Sequence, residues 1–247
     1  MPDLLSELAK LTSEQRAEIV RSVDELNVAE GRFQYRAEAC DVVSKERLRR
    51  FRVEKLKWRV WLYDDKRHAI FNHVASLLWD SAFFRTINDL RVNVLKTDAE
   101  DAKFNEPMFS LLVSGFVAKQ AMGIRRLIDR REDVLSLKRL LHDLKKNRNL
   151  ITREVYVAQD GLPYDYVPVK EGYEEGKVKE GGTFFYEGVE TTGPKAWGQS
   201  ERLHNVFDRL TGISPNQRRR EDMLPINWFD ELAGKLDVCE DLHKFAD

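Results

Sequence analysis

Apolar residues recur along this chain mainly at helical spacing, with one every three or four residues. The first helical stretch covers residues 13–30, and Ser13 is placed to act as its N-cap. The same spacing continues through most of the first 158 residues, broken by short polar turns. The further helices predicted there cover residues 44–63, about 66–94, 109–130 and a stretch from about 134.

The pattern changes after about Ala158. Residues 159–200 hold most of the glycine and proline together with six tyrosine and phenylalanine residues, a composition that is unsuited to a long helix. We therefore predict an aromatic loop or a short hairpin around 159–197, with TFFYEGV as a strand. Helical spacing returns at 198–211 and ends at Gly212, and a last helix is predicted from Asn227.

These elements predict a mainly α protein with one helical domain over residues 1–247. Its parts are an N-terminal helical extension over 1–63, a core over about 60–157 and C-terminal helices over 198–247. The helix predicted near 66–94 carries a surplus of large apolar residues, which indicates a central helix that is covered on several sides.

One position interrupts an apolar seam. Apolar residues recur from Leu137 to Val155 at spacings of 4, 3, 7 and 4, and Arg148 stands in the middle of the gap of seven. A guanidinium at this position has three explanations. It extends to water at the edge of the seam, it pairs with a buried carboxylate such as Asp80 or Asp89, or it lines a cleft that holds phosphate. The spacing does not decide among these three.

Charge is distributed unevenly although the formal net charge is only −1. Residues 45–67 and residues 125–153 each hold ten basic side chains against four acidic ones. Two such segments would frame a groove for a phosphate backbone, or each is the solvated face of an amphipathic helix.

The sequence contains no motif for a zinc site or for a glycine-rich phosphate loop. The two cysteines, Cys40 and Cys239, have no spacing typical of a zinc site, and no phosphate-binding glycine loop is present. We therefore expect no metal and no cofactor. Because no signal peptide and no run of 18 apolar residues is visible, we expect a cytoplasmic protein without a membrane span.

The run RRLIDRREDVLSLKRLLHDLKKNRNLITREVY, preceded by HAIFNHVASLLWDSAFFRTINDL, resembles the HEPN superfamily, in particular its abortive-infection U-type branch. The resemblance covers about residues 60–157. It implies a HEPN-like helical bundle, an RNA-directed protein of phage-defence or toxin type, a homodimer and a possible antitoxin or defence partner.

The resemblance also implies a site. The family signature is an arginine followed after four to six residues by a histidine, and Arg148 with Asn149 match its first half. The histidine is missing, because positions 153–155 are Arg-Glu-Val. His142 and His73 are the remaining candidates for the general acid and base. The RNA-binding candidates on the basic segment are Arg125, Arg126, Arg130, Lys145 and Arg153.

Two functions follow as expectations. One is a metal-independent endoribonuclease in which Arg148 stabilises the phosphoryl charge. The other is a catalytically inactive helical module that binds RNA, a nucleotide or a protein partner.

Overall fold

The computed structural model describes residues 11–64, 69–96, 105–131, 133–179 and 190–240. Within these ranges the chain is mainly helical, as the sequence predicts, and no β-strand forms. A single antiparallel bridge joins Thr152 to Met223. The α-helices of the described ranges are α1 (Ser13–Ala29), α2 (Lys45–Arg59), α3 (Ile70–Lys96), α4 (Glu106–Ile128), α5 (Leu137–Lys146), α6 (Arg153–Ala158), α7 (Val167–Lys179), α8 (Trp197–Thr211) and α9 (Ile226–Asp237).

Helix ends follow the local chemistry of the chain. The N-cap of α1 is Thr12 rather than Ser13, because the Thr12 side chain accepts the amide of Gln15 while the Gln15 side chain accepts the amide of Thr12. Asn105 caps α4 by accepting the amide of Met108. Helix α8 ends at Gly212, as predicted, and Gly212 takes the left-handed conformation (φ 73°) that glycine adopts at little cost.

The prediction of a loop or hairpin around 159–197 is wrong for part of that range. Residues Val167–Lys179 form the 13-residue helix α7. Pro168 is compatible with it because proline is tolerated in the first turn, and Gly172 and Gly176 each weaken it by only about 1 kcal/mol. The predicted strand TFFYEGV lies outside the described residues.

The helix predicted to run through Arg148 is also interrupted. Helix α5 ends at Lys146, a 3₁₀ turn covers Arg148–Leu150, and α6 begins only at Arg153. Thr152 caps α6 by accepting the amide of Val155. Arg148 therefore lies in a turn between two helices and not on the face of one.

The chain divides into two compact units, each built from two separate stretches of sequence. The first unit comprises Met1–Leu56 and Lys146–Pro225, and the second comprises Lys57–Lys145 and Ile226–Asp247. The predicted core over about 60–157 therefore contributes residues to both units. This division into units does not test whether residues 1–247 form one domain, so the single domain stays a prediction.

The first unit is organised around Arg52 on α2, whose side chain is 0% exposed. Its Nη1 donates to both carboxylate oxygens of Asp24 on α1, at 3.1 Å each. Its Nη2 donates to the carbonyl oxygens of Tyr35 and Gln159, at 2.7 Å each, and its Nε also donates to Gln159. The guanidinium lies over the ring of Phe33. One side chain thus ties α1, α2, the loop between them and the end of α6.

The second unit contains an antiparallel hairpin of α3 and α4. The rings of Phe84 and Phe116 stack with centroids 4.1 Å apart, and Lys119 pairs with Asp80. The helices approach closely at Gly123, where an added Cβ would lie 2.5 Å from Leu77. A side chain at that position would therefore require the Leu77 side chain to move.

Among the described helices, only α4 is long and apolar enough to cross a membrane, judged by length and composition alone. One helix of this kind is weak evidence for a membrane span.

We expect Arg52→Ala to lower the free energy of unfolding by about 3–5 kcal/mol, because Asp24 is left buried and charged without its partner. Chemical denaturation measures the loss. Arg50→Ala, which removes an exposed arginine of the same helix, serves as the control and should change stability by less than about 0.5 kcal/mol. Equal stability of the two variants would contradict the role assigned to Arg52.

Candidate functional site

The turn that carries Arg148 lies along a second stretch of the first unit, residues 218–224. Besides the bridge between Thr152 and Met223, the amide of Arg153 donates to the carbonyl of Asp222 at 2.8 Å. The amide of Glu154 donates to the carbonyl of Arg220 at 3.1 Å. Backbone hydrogen bonds therefore fasten the first turn of α6 to this later stretch.

Arg148 also binds to the stretch 218–224. Its side chain is half-buried, and its Nε donates to the carbonyl oxygen of Leu224 at 2.6 Å. Of the two carboxylates proposed as partners, Asp80 pairs with Lys119 and Asp89 is exposed, both in the second unit. The gap in the apolar seam is thus explained by a broken helix, and Arg148 is bound to a backbone carbonyl.

Arg153 is the buried arginine of this stretch, with a side chain that is 0% exposed. Its Nε donates to Asp222 at 2.8 Å and its Nη1 donates to Asp208 on α8 at 2.6 Å. The predicted placement of Arg153 on a surface that contacts RNA is therefore wrong. The two carboxylates that compensate its charge lie far away in the sequence, so the residues around Arg153 did not indicate that it is buried.

The neighbouring residue, Glu154, is buried as well. One of its carboxylate oxygens accepts the amide of Val43 at 2.9 Å and the guanidinium of Arg220 at 2.8 Å. Arg220 also pairs with Asp41 and lies over the ring of Tyr164. The charges of Arg153 and Glu154 are thus both compensated inside the first unit, although the buried Nη2 of Arg153 has no hydrogen-bond partner among the described residues.

The charged cluster includes a histidine that the sequence analysis did not single out. His204 on α8 is buried, and its Nε2 lies 2.9 Å from the carbonyl oxygen of Tyr164. Burial lowers the pKa of His204, so the neutral imidazole is favoured and Nε2 donates to that carbonyl. His204 follows α8 at the spacing of the buried Ser200 and Phe207, which was the available signal for its burial.

Asp208 holds two arginines in this cluster. Burial raises the pKa of its carboxyl, but hydrogen bonds from Arg218 and Arg153 outweigh burial and leave that pKa below its ordinary value. Burial also raises the pKa of Tyr164 to about 12. Near pH 7 the Asp208 carboxyl is therefore charged and the Tyr164 hydroxyl is neutral. These protonation states suit side chains that stabilise the fold.

The candidate acid–base groups, His73 and His142, belong to the second unit. His73 is on α3 in the second unit, where its Nε2 lies 3.0 Å from the carbonyl oxygen of Gly123 on α4. His142 is exposed on α5, also in the second unit. Asn149 is exposed in the 3₁₀ turn of the first unit. No catalytic set of Arg148 with a histidine is formed within the described part of the first unit.

Two of the predicted RNA-binding residues line an open cleft in the second unit. The cleft has a volume of about 500 Å³ and lies between the end of α4 and the start of α5. Arg125, Arg126 and Arg131 line it together with Asp129 and Asp133. Arg131 binds Asp129 with both Nε and Nη2, and this hydrogen bonding lowers the pKa of Asp129.

The other two basic candidates of the second unit pair with carboxylates of its C-terminal part. Lys145 pairs with Asp230 on α9, and Arg130 pairs with Glu240. Lys138 pairs with both Asp237 and Glu240. Of the five predicted RNA-binding side chains, Arg125 and Arg126 are thus the pair that shares a cleft.

A metal site is not formed by the described side chains. Within the described ranges no group of three or more histidine, cysteine, aspartate or glutamate side chains is placed to hold a metal ion. Glu132, between Asp129 and Asp133, lies outside those ranges.

Comparisons with protein-family models, with curated proteins and with solved structures found no match to this chain. The resemblance to the HEPN superfamily therefore stays a prediction that rests on the residues quoted above.

We expect Arg153→Ala to destabilise the protein by about 3 kcal/mol, because Asp222 and Asp208 lose a buried counter-charge. Arg148→Ala removes one hydrogen bond to a carbonyl from a half-buried side chain and should cost about 1 kcal/mol. Equilibrium unfolding of the two variants measures both values. A larger loss for Arg148→Ala than for Arg153→Ala would show that the two roles have been assigned the wrong way round.

Proposed function

We propose that this chain is a HEPN-like RNA-binding protein of phage-defence or toxin type that binds RNA without cleaving it. The observation that carries the proposal is the cleft between α4 and α5, where three arginine side chains meet. Guanidinium groups provide the planar, two-donor geometry that suits phosphate oxygens.

The charges of the cleft favour a phosphate group. Three arginines and two aspartates line the cleft, and one of those aspartates pairs with Arg131, so the lining carries a net positive charge. Three apolar side chains, Met122, Val134 and Leu135, share the lining with the five charged ones, so the match to a phosphate backbone rests on the guanidinium groups.

The residues at the position of the family histidine support binding rather than cleavage. The positions that would hold the family histidine are Arg153, Glu154 and Val155, and an arginine does not give up its proton near neutral pH. Buried His204 and carbonyl-bound His73 are both placed for structural roles. Arg148 is engaged with the Leu224 carbonyl, which leaves less of its guanidinium for a scissile phosphate.

We expect the purified protein to bind fluorescently labelled tRNA, with an affinity that falls steeply as salt concentration rises. Arg125→Ala should weaken binding several-fold and reduce the slope of log K against log salt by about 1, since one phosphate contact is lost. Fluorescence anisotropy over a range of salt concentrations measures both quantities.

Arg50→Ala is the matched control, because it removes an equally charged, exposed arginine of α2 that lies outside the cleft. It should leave the affinity and the salt slope unchanged. The proposal fails if the wild-type protein does not bind RNA at low salt, or if both variants lose the same amount of affinity.

A further inference from the structure

The cleft between α4 and α5 has apolar side chains beside its charged ones. Met122, Val134 and Leu135 belong to the same lining as the five charged residues. Met122 is 65% exposed and lies one helical turn before Arg125 and Arg126 on α4, so its thioether and the guanidinium groups share one face of the helix. A ligand that matches the whole cleft therefore has an apolar part and an anionic part side by side.

One carboxylate of the cleft is open to a ligand. The two carboxylate oxygens of Asp129 both accept hydrogen bonds from Arg131. The Asp133 carboxylate is exposed and makes no hydrogen bond or ion pair with the described residues. Its two oxygens are thus available to accept hydrogen bonds from a bound molecule.

The loop that leads from α4 to α5 is held by its own hydrogen bonds. Ser136 is buried, and its hydroxyl donates to the carbonyl oxygen of Asp129 and accepts the amide of Arg139. The Nη1 of Arg139 donates to the carbonyl oxygen of Val134 at 3.3 Å. Asp129 and Val134 are therefore fixed before a ligand arrives, which lowers the entropic cost of binding.

We propose that this cleft binds one unpaired guanosine of a single-stranded or looped RNA. The inference rests on the proposed binding of RNA and specifies which part of the RNA the cleft recognises. A phosphate group lies against Arg125 and Arg126, the face of the base lies against the three apolar side chains, and the edge of the base faces Asp133.

An unpaired nucleotide fits this lining better than a duplex does. The volume of about 500 Å³ is within the roughly 300–1,000 Å³ of small-molecule sites, which is enough for one nucleotide. In an RNA duplex each base is stacked on its neighbours and paired along its edge, so its faces cannot reach the apolar side chains. A base that has left the stack offers a flat face, which packs well on apolar side chains and on the sulfur of a methionine such as Met122.

The open carboxylate favours guanine among the four bases. Guanine carries two adjacent donors on its Watson–Crick edge, N1–H and the 2-amino group, and a carboxylate accepts both. Adenine and cytosine place an acceptor nitrogen beside their amino group, and uracil places its N3–H between two carbonyl oxygens. Each of these three bases would therefore set an acceptor against the Asp133 carboxylate.

Fluorescence anisotropy at low salt with labelled oligoribonucleotides tests the inference. The probes are a short oligouridine and the same strand with one central guanosine, adenosine or inosine. We expect the guanosine strand to bind about 10-fold more tightly than the oligouridine, as a well-placed pair of hydrogen bonds to a base provides. Inosine, which lacks the 2-amino group, and adenosine, which stacks but lacks the adjacent donors, should each recover only part of that gain. When the strands are annealed to their complements, the preference for guanosine should disappear.

Asp133→Asn should reduce the ratio of the two affinities, guanosine strand over oligouridine, from about 10 to about 1, because the amide replaces one of the two acceptors by a donor. Asp165→Asn removes another exposed aspartate that lies outside the cleft and should leave that ratio unchanged. Circular dichroism checks that both variants are folded. The comparison of the guanosine, adenosine and inosine strands on the wild-type protein decides the question if Asp133→Asn does not fold.

The oligouridine reports the binding of RNA separately from the recognition of guanosine. Equal affinity of the wild-type protein for all four strands, or a guanosine preference that persists in Asp133→Asn, would exclude the guanosine site and leave the proposed function intact. If the wild-type protein binds none of the strands, the oligouridine included, the proposed function fails and the guanosine site fails with it.

Discussion

The burial of Arg52 constrains the first unit more than any other single interaction. A guanidinium carries five donors and a charge that cannot be released, so a protein can bury it only by supplying acceptors on several sides. Asp24 supplies the negative charge, and the carbonyl oxygens of Tyr35 and Gln159 supply the remaining acceptors. Three segments that are far apart in the sequence must therefore meet at one point. That requirement fixes where α1, α2 and α6 pack.

Arg153, the first residue of α6, is a second buried guanidinium that needs acceptors on several sides. Its carboxylate partners come from α8 and from the stretch that precedes α9, and that stretch is bound by backbone hydrogen bonds to residues 152–154. A continuous helix through Arg148 would occupy its own amides in the helix and could not offer them to residues 220–223. The break after Lys146 is thus the condition for this pairing, and Arg148 follows from it by reaching the Leu224 carbonyl.

The sequence predicts the helices well where periodicity is local. Gly212 as the end of α8 is confirmed, because turn chemistry depends on adjacent residues only. The helix predicted over 44–63 buries Leu48, Phe51 and Trp58, which recur at helical spacing. The buried charges could not be predicted in this way. On α1 the apolar residues Ile19, Val23 and Leu26, which recur at helical spacing, are exposed, while Asp24 is buried against Arg52. No local pattern indicates this burial, because Arg52 is 28 residues away.

The candidate site shows the same division. A basic cleft that includes Arg125 and Arg126 follows from a local excess of arginine, so the sequence identifies it in part. The inward placement of Arg153 depends on carboxylates that lie 55 and 69 residues away, which no local pattern encodes. The burial of His204, in contrast, follows the local spacing of Ser200 and Phe207 on α8. An arginine at a seam position indicated a special environment, but the neighbouring arginine is the buried one.

If the stretch 148–154 stabilises the fold and takes no part in catalysis, the protein binds RNA without cleaving it. Incubation of labelled total RNA with the purified protein in EDTA tests this most directly, with Arg148→Ala assayed in parallel. We expect the RNA to stay intact with both proteins under conditions in which it is bound. Cleavage by the wild-type protein that disappears in a folded Arg148→Ala variant would contradict the account and establish a metal-independent ribonuclease.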